Sequence, residues 1–365
     1  MELTQLSELY QQRREERAAG IRSFYAGESR FLVIQRPAYH LWSECNTVDA
    51  VCRNNLRHME SWLSMDWTDE LPHLQPWFGT GVYANAFGCE YLWRAGEAPD
   101  SHLRFHRIEE VRGLPKPDWR KSPVMGMVLE CIDALQQRTR GLFPIALTDT
   151  QSPCDTATLV LDTSEFFTAC YTEAETVDSL MATVTDLIVE FSREQARRIG
   201  EWQVSKPGHV MPSLPGLNGI TLSDDNLAVA SPQINERFAL RFNQKVSEEL
   251  GGVAVHSCGV WDRTMRLLPG RGVIAVDCSV SPRWDPTPMA PEKVRDALDG
   301  TGIIVKARCG GTPEELEHAA AALAGPGMRV ILDIARIDED DAAYSRAAER
   351  NYHLAKESMA RACGA

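Results

Sequence analysis

The residues best suited to chemistry stand in one short run, Val253-Ala254-Val255-His256-Ser257-Cys258-Gly259. Side chains alternate faces along an extended strand, so the spacing predicts that His256 and Cys258 project together while Ser257 points the other way. An imidazole nitrogen and a thiolate sulfur brought to one point are groups that zinc favours, and a catalytic zinc site takes a third protein ligand and keeps one position open. A His and a Cys at a strand end are also ordinary core residues, because free cysteine is among the most buried residue types. The two readings differ in whether further ligands converge on the same point.

The elements that must position this pair follow from periodicity. In the second half of the chain short apolar runs alternate with helical patterns. Gly219 to Asp225 is followed by a predicted helix over 232–250, Val253 to Cys258 by a short one near 261–268, and Gly272 to Cys278 by one over 291–298. Ile303 to Cys309 precedes a helix over 313–323, and Met328 to Asp333 a terminal helix near 339–361. Upstream, an N-terminal helix within residues 1–30 precedes a strand from Arg30 to Pro37, a loop from Ala38 to Trp42, and a helix over 45–66. A helix near 122–138, a strand run from Phe143 to Asp149, a long helix near 174–199 and a Pro/Gly-rich connection from Lys206 to Gly219 complete the order. Leu71 to Pro117, rich in Trp, Pro, Gly and His and weakly periodic, is expected to form a lid or cap.

Short apolar strands alternating with helices predict a parallel sheet covered by helices. A (β/α)₈ barrel is the first reading and an open doubly wound sheet the alternative. No G-x-G-x-x-G follows the first strand and no G-x-x-x-x-G-K-[ST] occurs, so a nucleotide-binding open sheet has no support. The chain of 365 residues, 44% hydrophobic, exceeds the roughly 250 of a plain barrel. It is therefore read as one structural domain, with residues 1–120 carrying an N-terminal extension, the first barrel units and the lid, and 121–365 the remainder.

A barrel builds its active site at the carboxyl ends of its strands. The residues expected there are Asp149, Asp224, Asp225, His256, Cys258, Asp277, Cys278, Cys309 and Asp333. Neighbouring strands lie about 4.8 Å apart, so Cys278 or Cys309 could complete a metal set with His256 and Cys258. Cys309 ranks first, because Lys306 and Arg308 would favour its thiolate and Gly310-Gly311 allows a sharp turn, whereas Cys278 follows Asp277. A carboxylate third ligand remains open. Asp224 and Asp225 could orient substrate or cap the helix that starts at Pro232. Trp62, Trp67, Trp77 and Trp93 could line a cofactor cavity or simply pack in the core.

The net charge of −13, without a Lys/Arg cluster, argues against nucleic-acid binding. The sequence shows neither a signal-peptide pattern nor 18 consecutive apolar residues, so a cytoplasmic protein without a membrane span is expected, and its ten scattered cysteines are read as free thiols. A homodimer is a possible assembly.

Ser223-Asp224-Asp225-Asn226-Leu227-Ala228-Val229-Ala230-Ser231-Pro232, the segment Phe238 to Leu250 with Arg241-Phe242-Asn243, and Gly251 to Gly259 together resemble the uroporphyrinogen decarboxylase superfamily. They are most similar to its corrinoid-linked, methylcobamide:thiol methyltransferase branch. The resemblance covers 219–310, extends back to about 140, and touches little of the first 120 residues. It implies a (β/α)₈ barrel and zinc held by a His-x-Cys pair, matched by His256 and Cys258, with a later Cys. The metal activates a thiol that takes a methyl group from a corrinoid protein. Asp149, in the loop Asp149 to Cys154, together with Asp224 and Asp277 are then the expected catalytic carboxylates, and Gln151, Asp225 and Tyr39 the expected cofactor contacts. Two departures stand out. Ile34 to Trp42 lacks the arginine-rich motif of the decarboxylases, so porphyrinogen decarboxylation is not expected. Leu332-Asp333-Ile334-Ala335-Arg336 stands where the methyltransferases have their last Cys, which moves the third ligand to Cys278, Cys309 or a carboxylate. No Asp-x-His-x-x-Gly motif is present, so cobalamin would arrive on a separate protein or free. The alternatives are a metal-free lyase using Asp149 and Arg36 on a carboxylated substrate, and a non-catalytic corrinoid or tetrapyrrole binder.

Overall fold

The strands that the alternation predicts do form, and six of them make one parallel sheet. The computed structural model describes residues 1–37, 45–94, 96–337 and 342–364. Its main strands are β1 (Phe31–Pro37), β2 (Ile145–Ala146), β3 (Val204–Lys206), β4 (Ile220–Ser223), β5 (Val253–His256), β6 (Val273–Ser279), β7 (Ile304–Arg308) and β8 (Arg329–Ile337). The sheet runs β1-β8-β7-β6-β5-β4, every pair parallel. The remaining arc is made of single bridges and the short parallel pairing of β2 with β3. Asp69 N donates to Val33 O at 3.2 Å, Leu74 pairs with Ile145, and Gln151 pairs with Ser223. The segment through Leu74 and the run through β2 thus take the two positions between β1 and β4, giving a (β/α)₈ barrel.

The helices include α1 (Leu3–Ala26), α2 (Val48–Leu63), α3 (Pro123–Thr139), α4 (Pro153–Val160), α5 (Thr163–Thr172), α6 (Ala174–Ile199), α7 (Arg241–Leu250), α8 (Pro291–Leu298), α9 (Pro313–Leu323) and α10 (Ala342–Cys363). Proline opens α3, α4 and α9 behind the caps Ser122, Ser152 and Thr312, where a fixed φ and a missing N–H cost nothing. Among the described residues no helix is long and apolar enough to cross a membrane.

Four expectations shift. The strand run 143–149 shortens to β2, because Thr148 turns its amide to Gln195 Oε1 and its hydroxyl to Pro76 O. Helices α4 and α5 arise between the loop Asp149 to Cys154 and the long helix, where the periodicity assigns no element, each behind a side-chain cap, Ser152 and Asp162. The helix over 232–250 is broken into Pro232–Ile234, a π-helical turn Asn235–Leu240, and α7, and its cap is Ser231 rather than Asp224 or Asp225. Leu71, Leu74, Trp77, Phe78, Val82 and Tyr83, expected in a lid, are buried in the barrel's wall instead.

Candidate metal centre

The strand ladder sets the site's geometry. Ser223, His256 and Asp277 are register partners across β4, β5 and β6, and Asp277 is in turn opposite Lys306 on β7. Side-chain alternation along β7 puts Lys306 and Arg308 on one face and Cys309 on the other.

His256 Nδ1 donates to Asp277 Oδ2 at 2.5 Å, which fixes the ring and leaves Nε2 facing Cys258 Sγ at 3.7 Å. Asp225 Oδ1 is 3.9 Å from the same Nε2 and also accepts the Cys258 amide at 2.7 Å. The three ligand atoms lie within 4.8 Å of one another, and among the described residues no other His, Cys, Asp or Glu joins them. With bonds of about 2.0–2.3 Å, ligand atoms on a tetrahedral zinc sit roughly 3.3–3.8 Å apart, so these residues fit the ion with little movement. A carboxylate on the far imidazole nitrogen is the usual outer partner of a metal-bound histidine.

The charges are held by the barrel's interior. Asp277 is buried; burial alone would raise its carboxyl, but Lys306, Arg308 and His256 hold it well below the usual carboxylate range. Lys306 Nζ reaches Asp277 Oδ1 at 2.6 Å and Asp333 Oδ2 at 2.5 Å. Arg308 lies 3.4 Å from Asp277 through Nε and donates from Nη2 to Cys258 Sγ at 3.8 Å. For His256, burial disfavours the imidazolium, yet the bonds to Asp277 and Cys258 outweigh it and push the pKa up to about 10. Behind Asp225, Asp155 accepts the amides of Asp225 and Asn226, and burial with the Asp225 charge pushes its carboxyl up to about 7.

Other expected residues lie elsewhere. Asp149 is buried, accepting from Trp77 Nε1 and Ser223 Oγ, both at 3.3 Å, and from Gln151 Nε2 at 3.4 Å, and Ser223 is the register neighbour of His256. His209 Nε2 is 3.5 Å from Asp149, and burial lowers that imidazole's pKa. Asp224 points away, fully buried against Asn243, and burial followed by the Asp155 charge raises its carboxyl well above the ordinary value. Tyr39 lies outside the described residues. Of the tryptophans, Trp77 holds Asp149, Trp62 lines a small cavity with Arg36, His73 and Arg336, and Trp93 packs on Phe78 and Tyr91.

The expected third ligands are not brought to the pair. Cys278 is buried and alternates with Asp277 to the far face of β6, its thiol pushed up to about 12 by burial and by the Asp277 charge. Cys309 continues the ladder with β8, both its amide and its Sγ donating to Asp333 O, at 2.9 and 3.3 Å. Burial, then Asp333 and Glu315, raise its thiol well above the ordinary value. The reason is alternation: Lys306 and Arg308 point into the barrel and pair there, so the pull of Lys306 toward a Cys309 thiolate is outweighed by burial, Asp333 and Glu315. The place of Lys306 and Arg308 at the site was missed, although their spacing of two carried the signal. His209 and Asp155 carried none.

Residues 77–201 match the family model described as uroporphyrinogen decarboxylase. Over that stretch the chain is similar to the uroporphyrinogen decarboxylase family. The match lies upstream of His256 and Cys258, in the stretch that contributes Trp77, Asp149 and α6. No curated protein matches the chain by sequence. Among solved structures, a methyltransferase from Methanosarcina mazei aligns with TM-score 0.63 at 14% identity, over 93% of this chain and 96% of its own. At that identity the likeness is one of fold.

Proposed function

We propose that this protein is a zinc-dependent methyltransferase that moves a methyl group between a corrinoid and a small thiol or other methyl donor. The observation that carries the reading is the convergence of His256 Nε2, Cys258 Sγ and Asp225 Oδ1, with Asp277 on the imidazole's other nitrogen. Bound by these three residues, zinc supplies the Lewis acidity that keeps a thiol deprotonated near neutral pH and hence nucleophilic toward an electrophilic methyl group. Asp277 keeps Nε2 aimed outward. Arg308 Nη2 lies 3.8 Å from the Cys258 sulfur and helps to hold it in place. Asp149, backed by Trp77, Ser223 and Gln151, offers an acceptor for a substrate hydroxyl or amine. The Methanosarcina mazei neighbour is a methyltransferase, which supports the same class. A corrinoid would come free or on a separate protein, and ten free cysteines fit action in the reducing cytoplasm.

The metal-free lyase reading has less support, because Arg36 is already held by Glu70 through two bonds of 2.7 and 2.6 Å. Metal analysis of the full chain, combined with the visible spectrum of methylcobalamin mixed with a panel of small thiols, tests the proposal. One zinc per chain and thiol-dependent demethylation are expected, both lost in Cys258→Ser. Metal-free protein, or turnover untouched by that substitution, would overturn it.

A further inference from the structure

Lys306 is 1% exposed and sits on β7 with its ammonium between two carboxylates, Asp277 Oδ1 at 2.6 Å and Asp333 Oδ2 at 2.5 Å. A lysine is almost never so buried unless paired, and taking its charge out of water is costly. Stability alone is a poor reason to keep one, since apolar groups of similar volume often serve as well or better. The geometry supplies another reason. Asp277 has two oxygens with different tasks: Oδ2 takes the His256 Nδ1 proton and Oδ1 takes Lys306.

We propose that Lys306 is a positioning residue that locks the carboxylate plane of Asp277, so that His256 keeps Nε2 directed at Cys258 and Asp225. Asp277 alone has a free rotation about its Cα–Cβ and Cβ–Cγ bonds, and a carboxylate held at one oxygen can swing. Arg308 cannot substitute, because its Nε sits at 3.4 Å from the oxygen already facing His256 and its Nη2 is turned to Cys258. Lys306 is the group that holds the opposite oxygen, and Asp333 anchors Lys306 from the neighbouring strand β8. Three consecutive strands thereby pass their fixed spacing to one imidazole ring. As a zinc effect this rests on the proposed metal site; as a statement about His256 it does not.

Lys306→Met leaves two buried carboxylates short of a partner and risks misfolding, so the test uses Lys306→Met/Asp333→Asn beside it. In the double variant the pair Asp277–Arg308 remains and the two charges removed cancel. Two readouts separate position from mere stability. In metal-free protein the proton on His256 Nδ1 gives a strongly downfield NMR resonance when held by Asp277, and the double variant is expected to lose or broaden it at unchanged far-UV circular dichroism. Zinc alone, titrated by competition with a chromophoric chelator, is expected to bind roughly 10–100-fold more weakly than to the parent, the usual cost of losing an outer-shell partner. A parent that binds zinc and a double variant with the same resonance and the same affinity would show that Lys306 does not position Asp277. A parent that binds no zinc sinks the metal reading alone, and the resonance then decides the role of Lys306.

Discussion

Cys258 has an imidazole and a guanidinium at its sulfur, with the Asp225 carboxylate beside the same imidazole, a set that can hold a metal. Cys309, one of the two cysteines that sequence reasoning set beside it, has only a backbone carbonyl. Single substitutions should therefore separate them: Cys278→Ser and Cys309→Ser keep full zinc stoichiometry, whereas Asp225→Ala weakens zinc by more than the roughly 10–100-fold of outer-shell changes, as metal analysis after gel filtration will read. The pH dependence follows from His256. Its folded pKa of about 10 lies above the unfolded value of 6.5, so metal-free protein carries a stabilising imidazolium that is fully present below pH 6.5 and is lost as the pH rises toward 10. Zinc must displace that proton, and its affinity should climb by about one decade per pH unit across the same window from this group alone, measurable by titration in buffers of different ionisation enthalpy.

The loop after β5 depends on backbone that only glycine adopts easily. Gly259 has φ +73°, and a Cβ there would stand 2.9 Å from the Ala228 methyl. Its amide is clamped by Asp285 Oδ2 at 2.5 Å, while the preceding amide is clamped by Asp225. Two successive N–H groups thus fix the direction in which Cys258 leaves the strand. Gly259→Ala should cost about 1–3 kcal/mol through the left-handed backbone and displace the sulfur. Thermal unfolding will show the first effect, and a weaker zinc titration in the still-folded fraction the second.

For the whole molecule, α1 is part of the barrel rather than an appendage. Arg17 is buried and donates to Glu70 O at 2.8 Å and to Met65 O at 2.6 Å, so the helix is bonded to the segment that joins β1 to β2. Arg17→Met leaves both carbonyls without that donor, at about 1–3 kcal/mol each, and should lower the urea midpoint of a single transition without changing zinc stoichiometry. The same segment supplies Glu70 to Arg36, which is why the arginine at the end of β1 is engaged inside the protein instead of facing a substrate.

Local periodicity was legible in the sequence. A period of two in Val253 to Cys258 already placed His256 and Cys258 on one face, and helical periodicity already marked α3 near 122–138 and α9 over 313–323. These follow from neighbours a few residues apart, so no tertiary knowledge is needed. The third group at the site, the partner of Arg36 and the two carboxylates that flank Lys306 follow from the tertiary structure alone. Asp225 stands 31 residues before His256 by numbering, and it reaches Cys258 only because β4 and β5 lie side by side in a particular register. Cys309 has the reactive chemistry but falls on the wrong side of a strand. The sequence by itself determined which side chains could do chemistry, and the ladder of β4 to β8 determined which of them meet, because strand order and register are properties of contacts between segments far apart in the chain.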